Sequence, residues 1–347
     1  MTSVIAKSPR GGLSMQKWMI ATTAALGLAL SGGNAAAQVE QIRAIGSLPV
    51  GHHMSEALDL FKQEIEENSE IGVDVFPASQ LYSDADSVKV LPSGSVDVGI
   101  NQLDFWMGLV PSAGILYMPT YYDSIDYFYA LRESVTPALA AQLEEKGNVK
   151  LLGWADYDSE ALISEKEIKT LEDFQGTKLR GYGQYAAAFL QAVGSSPVVM
   201  SSGEAYDALS KGVIDGTMSG PTSHFSRKFY EVASNLIAEP NFIQPVFSYA
   251  IMINLDTWNE MTPEQQEVVQ AAADEVERFT AAEFQEASAA SLEELEANGV
   301  NLVDVAPEEF QRIRDVVWPA LEEKLLSDAG EEVAQPMIDT ARELRDE

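Results

Sequence analysis

The stretch KTLEDFQGTKLRGYGQYAAAFLQAVGSSPVVMSSGEAYDALSKGVIDG, Lys169 to Gly216, decides the fold. Thr170 and Asp173 have the spacing of a capping box, and Gly176 ends the short helix that they start. GTKLRGYG then reads as a strand with its exit turn, YAAAFLQAVG as a helix closed at Gly194, and SPVVM as the next strand. SSGEAYDALSKG follows as a helix, with Ser201 and Glu204 again at capping-box spacing, before the strand-like VIDGTMSG. Strands that alternate with single helices imply parallel strands covered by helices.

The same rhythm runs outward from this stretch. QIRAIGS, IGVDVFP and SVDVGIN read as strands, and SEALDLFKQEIEENS as a helix with Leu58, Phe61 and Ile65 on one face. SQLYSDADSVKVLPSG is the expected helical crossover, and VKLLGWA opens the second set of units near Asn148. VFSYAIMINLDTW, Val246 to Trp258, is a β-rich run that returns the chain to the first set. From Thr262, as N-cap before Pro263, to Asn298 and Gly299 one very long helix is expected, roughly 50 Å at 1.5 Å per residue. A strand and two helices complete the chain. Two α/β lobes result: residues 38–157 with about 246–285, and 158–245 with about 286–347.

The first 37 residues differ from the rest. Lys7, Arg10 and Lys17 precede the apolar WMIATTAALGLAL, which is followed by SGGNAAAQ, the order of a secretory signal cleaved after Ala37. The apolar run is shorter than the roughly 20 residues that a membrane span needs. Its removal leaves 19 basic and 54 acidic side chains, a net charge of −35. So acidic a protein repels nucleic acids and anionic lipid surfaces. The chain has no cysteine, so disulfides, thiol catalysis and Cys-bound metal are excluded.

Enzyme signatures are missing. The three histidines, His52, His53 and His224, form no HExxH, and there is neither a GxSxG elbow nor a phosphate loop. A carboxylate pair drawn from 54 acidic residues would be arbitrary. The aromatic run MPTYYDSIDYFYAL, Met118 to Leu131, is expected to fill the core. Arg180 stands apart: it is the arginine of the second lobe's strands, at a strand's carboxyl end, where open α/β sheets place ligands. Guanidinium grips a carboxylate through paired charge-assisted hydrogen bonds. On the residues alone, a ligand's carboxylate and an acidic side chain of the protein are both candidates.

The quoted stretch closely resembles the core signature of the solute-binding proteins of tripartite ATP-independent periplasmic (TRAP) transporters. The matches include Asp173, Gly176, Lys178, Arg180, Gly194, Pro197, Met200, Glu204, Tyr206, Leu209, Gly212, Asp215 and Gly216, in the proper order. VDVFPASQL, RKFYEVA and the long helix extend the resemblance over the remaining chain. It implies a two-lobe clamshell that closes on one small solute, with a long helix running under both lobes. It implies that Arg180 holds the solute's carboxylate, and that the loaded receptor docks on a permease driven by an ion gradient. Neither catalysis nor a metal or other cofactor is implied, and the chain is expected to act as a periplasmic monomer. A sensory protein of the same fold is the alternative, and an exported hydrolase a more distant one.

Departures from the family pattern bear on the solute. Ser219 or Gly220 stands where many members have an asparagine that touches the solute. ADYDSE stands where relatives that bind larger sugar acids add a second arginine, which disfavours a doubly anionic solute. Asp156 and Asp158 in that segment would suit a solute with an amine or hydroxyl donors, with Trp154, Tyr157, Tyr182 and His224 packing on it. By the strand-end rule, Ser47, Asn101 and Gln102 are the first-lobe candidates.

Overall fold

Two strands organise the molecule. Gln244 to Asn254 is buried at every position, the pattern of a strand covered on both faces. Its antiparallel neighbour, Val149 to Ser164, is sixteen residues long and serves in two sheets. The computed structural model describes residues 39–200, 202–238 and 243–346; the expected signal sequence, 1–37, lies outside the described residues.

In chain order the elements are β1 (Gln41–Gly46), α1 (His53–Asn68), β2 (Gly72–Phe76), α2 (Asp84–Val90), β3 (Val98–Asn101), α3 (Ile125–Gly147) and β4 (Val149–Ser164). Next come β5 (Lys178–Gly181), α4 (Gln184–Ala192), β6 (Ser196–Val199), α5 (Ser202–Ser210), β7 (Gly216–Ser219) and α6 (Pro221–Ser226). The chain ends with β8 (Asn235–Ile237), β9 (Gln244–Asn254), α7 (Leu255–Glu260), α8 (Pro263–Ala297), β10 (Asn301–Leu302), α9 (Pro307–Ala329) and α10 (Glu331–Asp346).

The first sheet runs β2-β1-β3-β9-β4, the second β4-β7-β5-β6, with β8 pairing β4 and β10 pairing β8. Pairing is parallel within β1–β3 and within β5–β7, as the alternation of strands and helices requires. β9 and β4 break the parallel order, because β9 runs antiparallel to both β3 and β4. The strand expected over VKLLGWA is therefore the first half of a longer one. Its ladder slips between Leu151 and Gly153, Asp156 and Asp158, and Asp158 and Glu160, which masks the alternation that would mark a continuous strand.

The long helix forms as its caps dictate. The Thr262 hydroxyl accepts from the Gln265 amide, the Gln265 side chain accepts from the Thr262 amide, and Pro263 opens the first turn. Val269, Ala272, Ala273, Val276, Thr280, Phe284 and Ser288 supply its buried stripe. At 1.5 Å per residue α8 is roughly 52 Å long, and it packs on α1, β4 and α6. The C-terminal helices return to earlier elements: α9 packs on α4, and α10 on α3. The aromatic run around α3 goes to the core, with Tyr121, Tyr122 and Phe128 fully buried. Among the described residues no helix is long and apolar enough to cross a membrane.

Candidate functional site

β5 carries Arg180 between β6 and β7, opposite Val198 and Thr217. The side chain is 5 % exposed. Its Nε donates to the Met200 carbonyl at 3.0 Å, and its Nη1 to the Met218 carbonyl at 2.7 Å. Among the described residues no Asp or Glu oxygen comes within ion-pair distance of it. Burial lowers its proton affinity, while Glu160 and Tyr157 act most strongly in the opposite direction; a guanidinium stays charged regardless. The structure thus fixes a buried cation by two neutral carbonyls.

Carboxyl groups face this cation without bonding to it. Glu160, on β4, is 4 % exposed and its Oε2 has no hydrogen-bond partner among the described residues. Burial pushes its carboxyl well above the usual range, against the pull of Arg180. Asp104 follows β3, in the 3₁₀ turn Leu103–Trp106. Although the residue is only half-buried, its Oδ1 is shielded from solvent and without a partner. Burial and then the nearby Asp84 push Asp104 up to about 7, opposed by the Phe105 amide and Arg180. Buried polar atoms almost always find partners, so these exceptions need a reason.

Aromatic rings complete the surroundings. Tyr182 packs edge-on against Phe247 at 5.0 Å, Phe247 meets Tyr157 at 6.3 Å, and Tyr157 meets Tyr249 at 5.5 Å. His52 stacks on Tyr157 at 5.5 Å, while burial first and then its neighbour His53 push its imidazole down to about 3, so it is neutral. The Tyr182 hydroxyl is buried and unpartnered among the described residues. The turn after β5 presses against the turn after β3: a Cβ on Gly183 would stand 2.6 Å from Oδ2 of Asp104. Gln184 donates to the Met107 sulfur beside it, and His52 bonds the Thr222 hydroxyl at 3.3 Å.

The residues singled out from sequence fall into three groups. Arg180, Tyr182 and Ser219 come together, with Ser219 on β7 hydrogen-bonded to Tyr157. His224 is fully buried within the field of Arg180, its Nε2 near the Ala161 carbonyl and its ring on Phe229; burial pushes it down to about 4. Gln102 donates to the Tyr249 hydroxyl at 2.7 Å, while Asn101 and Ser47 both hold Asp84. Trp154 is not brought to Arg180. Its indole donates to Thr136 on α3, next to Arg132 and Glu277. Asp156 likewise turns to α3, where it accepts from Arg132 and Tyr129, and it accepts from Ser248 on β9 as well. Asp158 accepts from the Thr222 amide and hydroxyl in the first turn of α6. The bulges of β4 explain why Glu160, two residues further on, points elsewhere.

Sequence reasoning missed Glu160, Asp104, Phe247 and Tyr249. Two of them left a trace: Glu160 ends the quoted ADYDSE, and Asp104 stands three residues after the strand end at Asn101. Among the described residues no group of three or more acidic or histidine side chains is placed to hold a metal ion.

Residues 45–328 match the family described as bacterial extracellular solute-binding protein, family 7. The chain belongs to that family. It is a TRAP solute-binding protein, hence an extracytoplasmic receptor rather than an enzyme. Among its relatives is the ectoine-binding periplasmic protein TeaA of Halomonas elongata, 26% identical over 332 residues that cover 94% of this chain and 96% of that protein. The C4-dicarboxylate-binding periplasmic protein DctP of Rhodobacter capsulatus is 27% identical over 195 residues, 55% of this chain and 57% of the relative. Among solved structures, a TRAP solute-binding protein from Sulfitobacter sp. NAS-14.1 with bound β-D-galacturonate superposes with a TM-score of 0.78 at 26% identity, covering 89% of this chain and 100% of the other.

Proposed function

We propose that this TRAP receptor captures one small organic carboxylate, with Arg180 as the carboxylate's anchor, and delivers it to an ion-gradient-driven TRAP permease. The observation that carries the reading is the state of Arg180: buried, aimed by two backbone carbonyls, and without an ion-pair partner among the described residues. A structural arginine in so acidic a chain would find a carboxylate easily. Names among its relatives and solved structures point the same way, since they bind ectoine, C4-dicarboxylates and galacturonate.

Tyr182 and Ser219 stand beside the anchor, His224 lies behind it, and Gln102, Asn101 and Ser47 belong to the facing wall with Asp84 and Asp104. The lobes are residues 38–157 with about 246–285, and 158–245 with about 286–347. The protein is periplasmic, exported by the signal that ends at Ala37, and works as a monomer. Closure of the lobes over the solute excludes water and strengthens the Arg180–carboxylate pair.

A thermal-shift screen of the processed chain, Gln38 to Glu347, against small carboxylates, sugar acids and amino acids tests this, because a ligand of the folded state raises the melting temperature. In calorimetry on the hit, Arg180→Ala is expected to cost roughly 2–5 kcal/mol of binding. A hit bound equally well by that variant would remove Arg180 from the site.

A further inference from the structure

Two helices from different sheets begin side by side at the bulged part of β4. α1 follows β1 of the first sheet, α6 follows β7 of the second, and both pack on α8. Side-chain hydrogen bonds join their starts, and the direction of each bond can be derived. His52 is the N-cap of α1, and its Nδ1 accepts from the Met54 amide at 3.2 Å. The imidazole is neutral, because burial and then His53 push it down to about 3. Its one ring proton is therefore on Nε2, 3.3 Å from the Thr222 hydroxyl. Both oxygens of Asp158 accept from backbone amides, Oδ1 from Ser159 at 2.8 Å and Oδ2 from Thr222 at 2.9 Å. The Thr222 hydroxyl thus donates its single proton to Asp158, at 2.6 Å, and accepts from His52. The relay runs from α1 through α6 to Asp158, which has a ladder slip on either side.

We propose that His52 is a positioning residue for closure: by donating to Thr222 it ties the first lobe to the second through protein groups alone, and so stabilises the closed arrangement around the solute on Arg180. This rests on the two-lobe reading given above, in which His52 and Tyr157 belong to one lobe and Asp158, Thr222 and Ser223 to the other. The surroundings hold the relay in place. The His52 ring lies nearly parallel to Tyr157, at 5.5 Å and 6°. The Tyr157 hydroxyl donates to Ser223 at 2.5 Å, so both hydroxyls of the first turn of α6 are bonded from the first lobe. Gly220 precedes α6, and a Cβ there would collide with the Asp158 carboxylate; glycine lets the helix come that close. His52, Asp158 and Thr222 are all buried, and buried polar groups favour the arrangement in which they find their partners. Parting the lobes separates the starts of α1 and α6. At 3.3 Å the bond from His52 is already long, so a shift of about 1 Å breaks it. A group of this kind leaves its own kinetic mark: it slows release of the solute more than it speeds capture.

The chain has no cysteine, so Glu67→Cys on α1 and Asp207→Cys on α5, both exposed, take spin labels without background. Distances between the labels are measured by double electron–electron resonance in the processed chain, alone and with saturating succinate, D-galacturonate or ectoine. Stopped flow times the release of whichever of these binds. Two variants break the relay from opposite ends and spare the fold. His52→Asn keeps an N-cap side chain for α1 but cannot reach Thr222. Thr222→Val removes the hydroxyl and leaves Asp158 its two backbone amides. Both variants are expected to move the distances toward longer separations and to speed release roughly 5- to 10-fold, with capture slowed less. The double variant should be no worse than either single one, since both cut one chain of bonds, and Thr222→Ser should restore native values. Distances and release rates that stay native in His52→Asn or Thr222→Val overturn the proposal, as does full additivity of the two changes. If none of the three compounds binds, the distances in the chain alone decide. The anchor fails separately: a compound retained in Arg180→Ala removes Arg180 from the site, while the label distances still decide for or against the relay.

Discussion

Two buried arginines, one on α3 and one on β5, have opposite surroundings. Arg132, on α3, donates to Asp156 at 2.6 Å, to Ser248 at 2.8 Å and to Glu277 at 3.1 Å, and its guanidinium lies 4.6 Å from the Tyr129 ring centre. Arg180 meets two carbonyls and no carboxylate. The first cation is saturated by carboxylates of its own protein; the second is held by backbone carbonyls alone. The difference teaches that a chain with a formal net charge of −32 does not neutralise its arginines indiscriminately. An unpaired, buried arginine is what the proposed carboxylate anchor requires.

The contrast can be broken most forcefully at Arg132. Asp156 is 1 % exposed, and Arg132→Ala would leave it buried without its counter-ion. A loss of roughly 3–5 kcal/mol in unfolding stability is expected for such a broken pair. Denaturant melts of the variant would show it, and a loss no greater than that of a surface substitution would mean that Arg132 is no more structural than Arg180. Solute affinity, measured where both proteins are folded, should change little.

A sharper comparison uses pH. Burial, and then the nearby Asp84, push the Asp104 carboxyl in the folded protein up to about 7 from its ordinary 3.8. Folding therefore disfavours its ionised form, and the native protein loses stability from this group as pH rises from about 4 to about 7. Asp104→Asn cannot ionise. The variant's melting temperature relative to the native protein should climb across that window and level off above it, without solute present. A difference that is flat with pH would show the carboxyl to be solvated. The smallest effect concerns α8, the helix that packs on β4. Thr262→Ala removes the side-chain cap of α8, and about 1 kcal/mol should be lost in the same melts. Affinity for the solute should be untouched, and a change in it would tie the helix end to the binding site.

Much of the fold was legible because local signals agreed with one another. Capping boxes at Thr170 and Thr262, the apolar spacing of α1 and the glycine stops at Gly176 and Gly194 each reflect backbone needs that a few neighbouring residues satisfy. β4 was read short because its bulges interrupt the period that a strand shows in sequence. The direction of β9 depends on its partners, β3 and β4, which are distant along the chain. The site divides in the same way. Arg180 was conspicuous as the arginine of its lobe's strands, whereas Glu160 and Asp104 were two acids among 54. Burial distinguished them, and burial is a property of the assembled chain. Trp154 and Asp156 were misplaced for the reason that hid β4, since each ladder slip changes which side chains face which neighbour.

The bulged strand also has a kinematic meaning. β4 is a single spar common to both sheets, and its slips between Asp156 and Glu160 fall at the end of the segment that pairs β9, directly before the segment from Ala161 that pairs β7. Ladder bonds are already interrupted at those points, so flexing there severs few of them. A rotation of one sheet against the other would find its axis at these residues. Asp156 would stay with the half anchored by Arg132, and Glu160, paired with Gln244 where the β9 ladder ends, would lie at the axis itself. A solute spanning the two halves would then be registered as an angle, and the permease proposed as partner would have a signal to read without touching the solute.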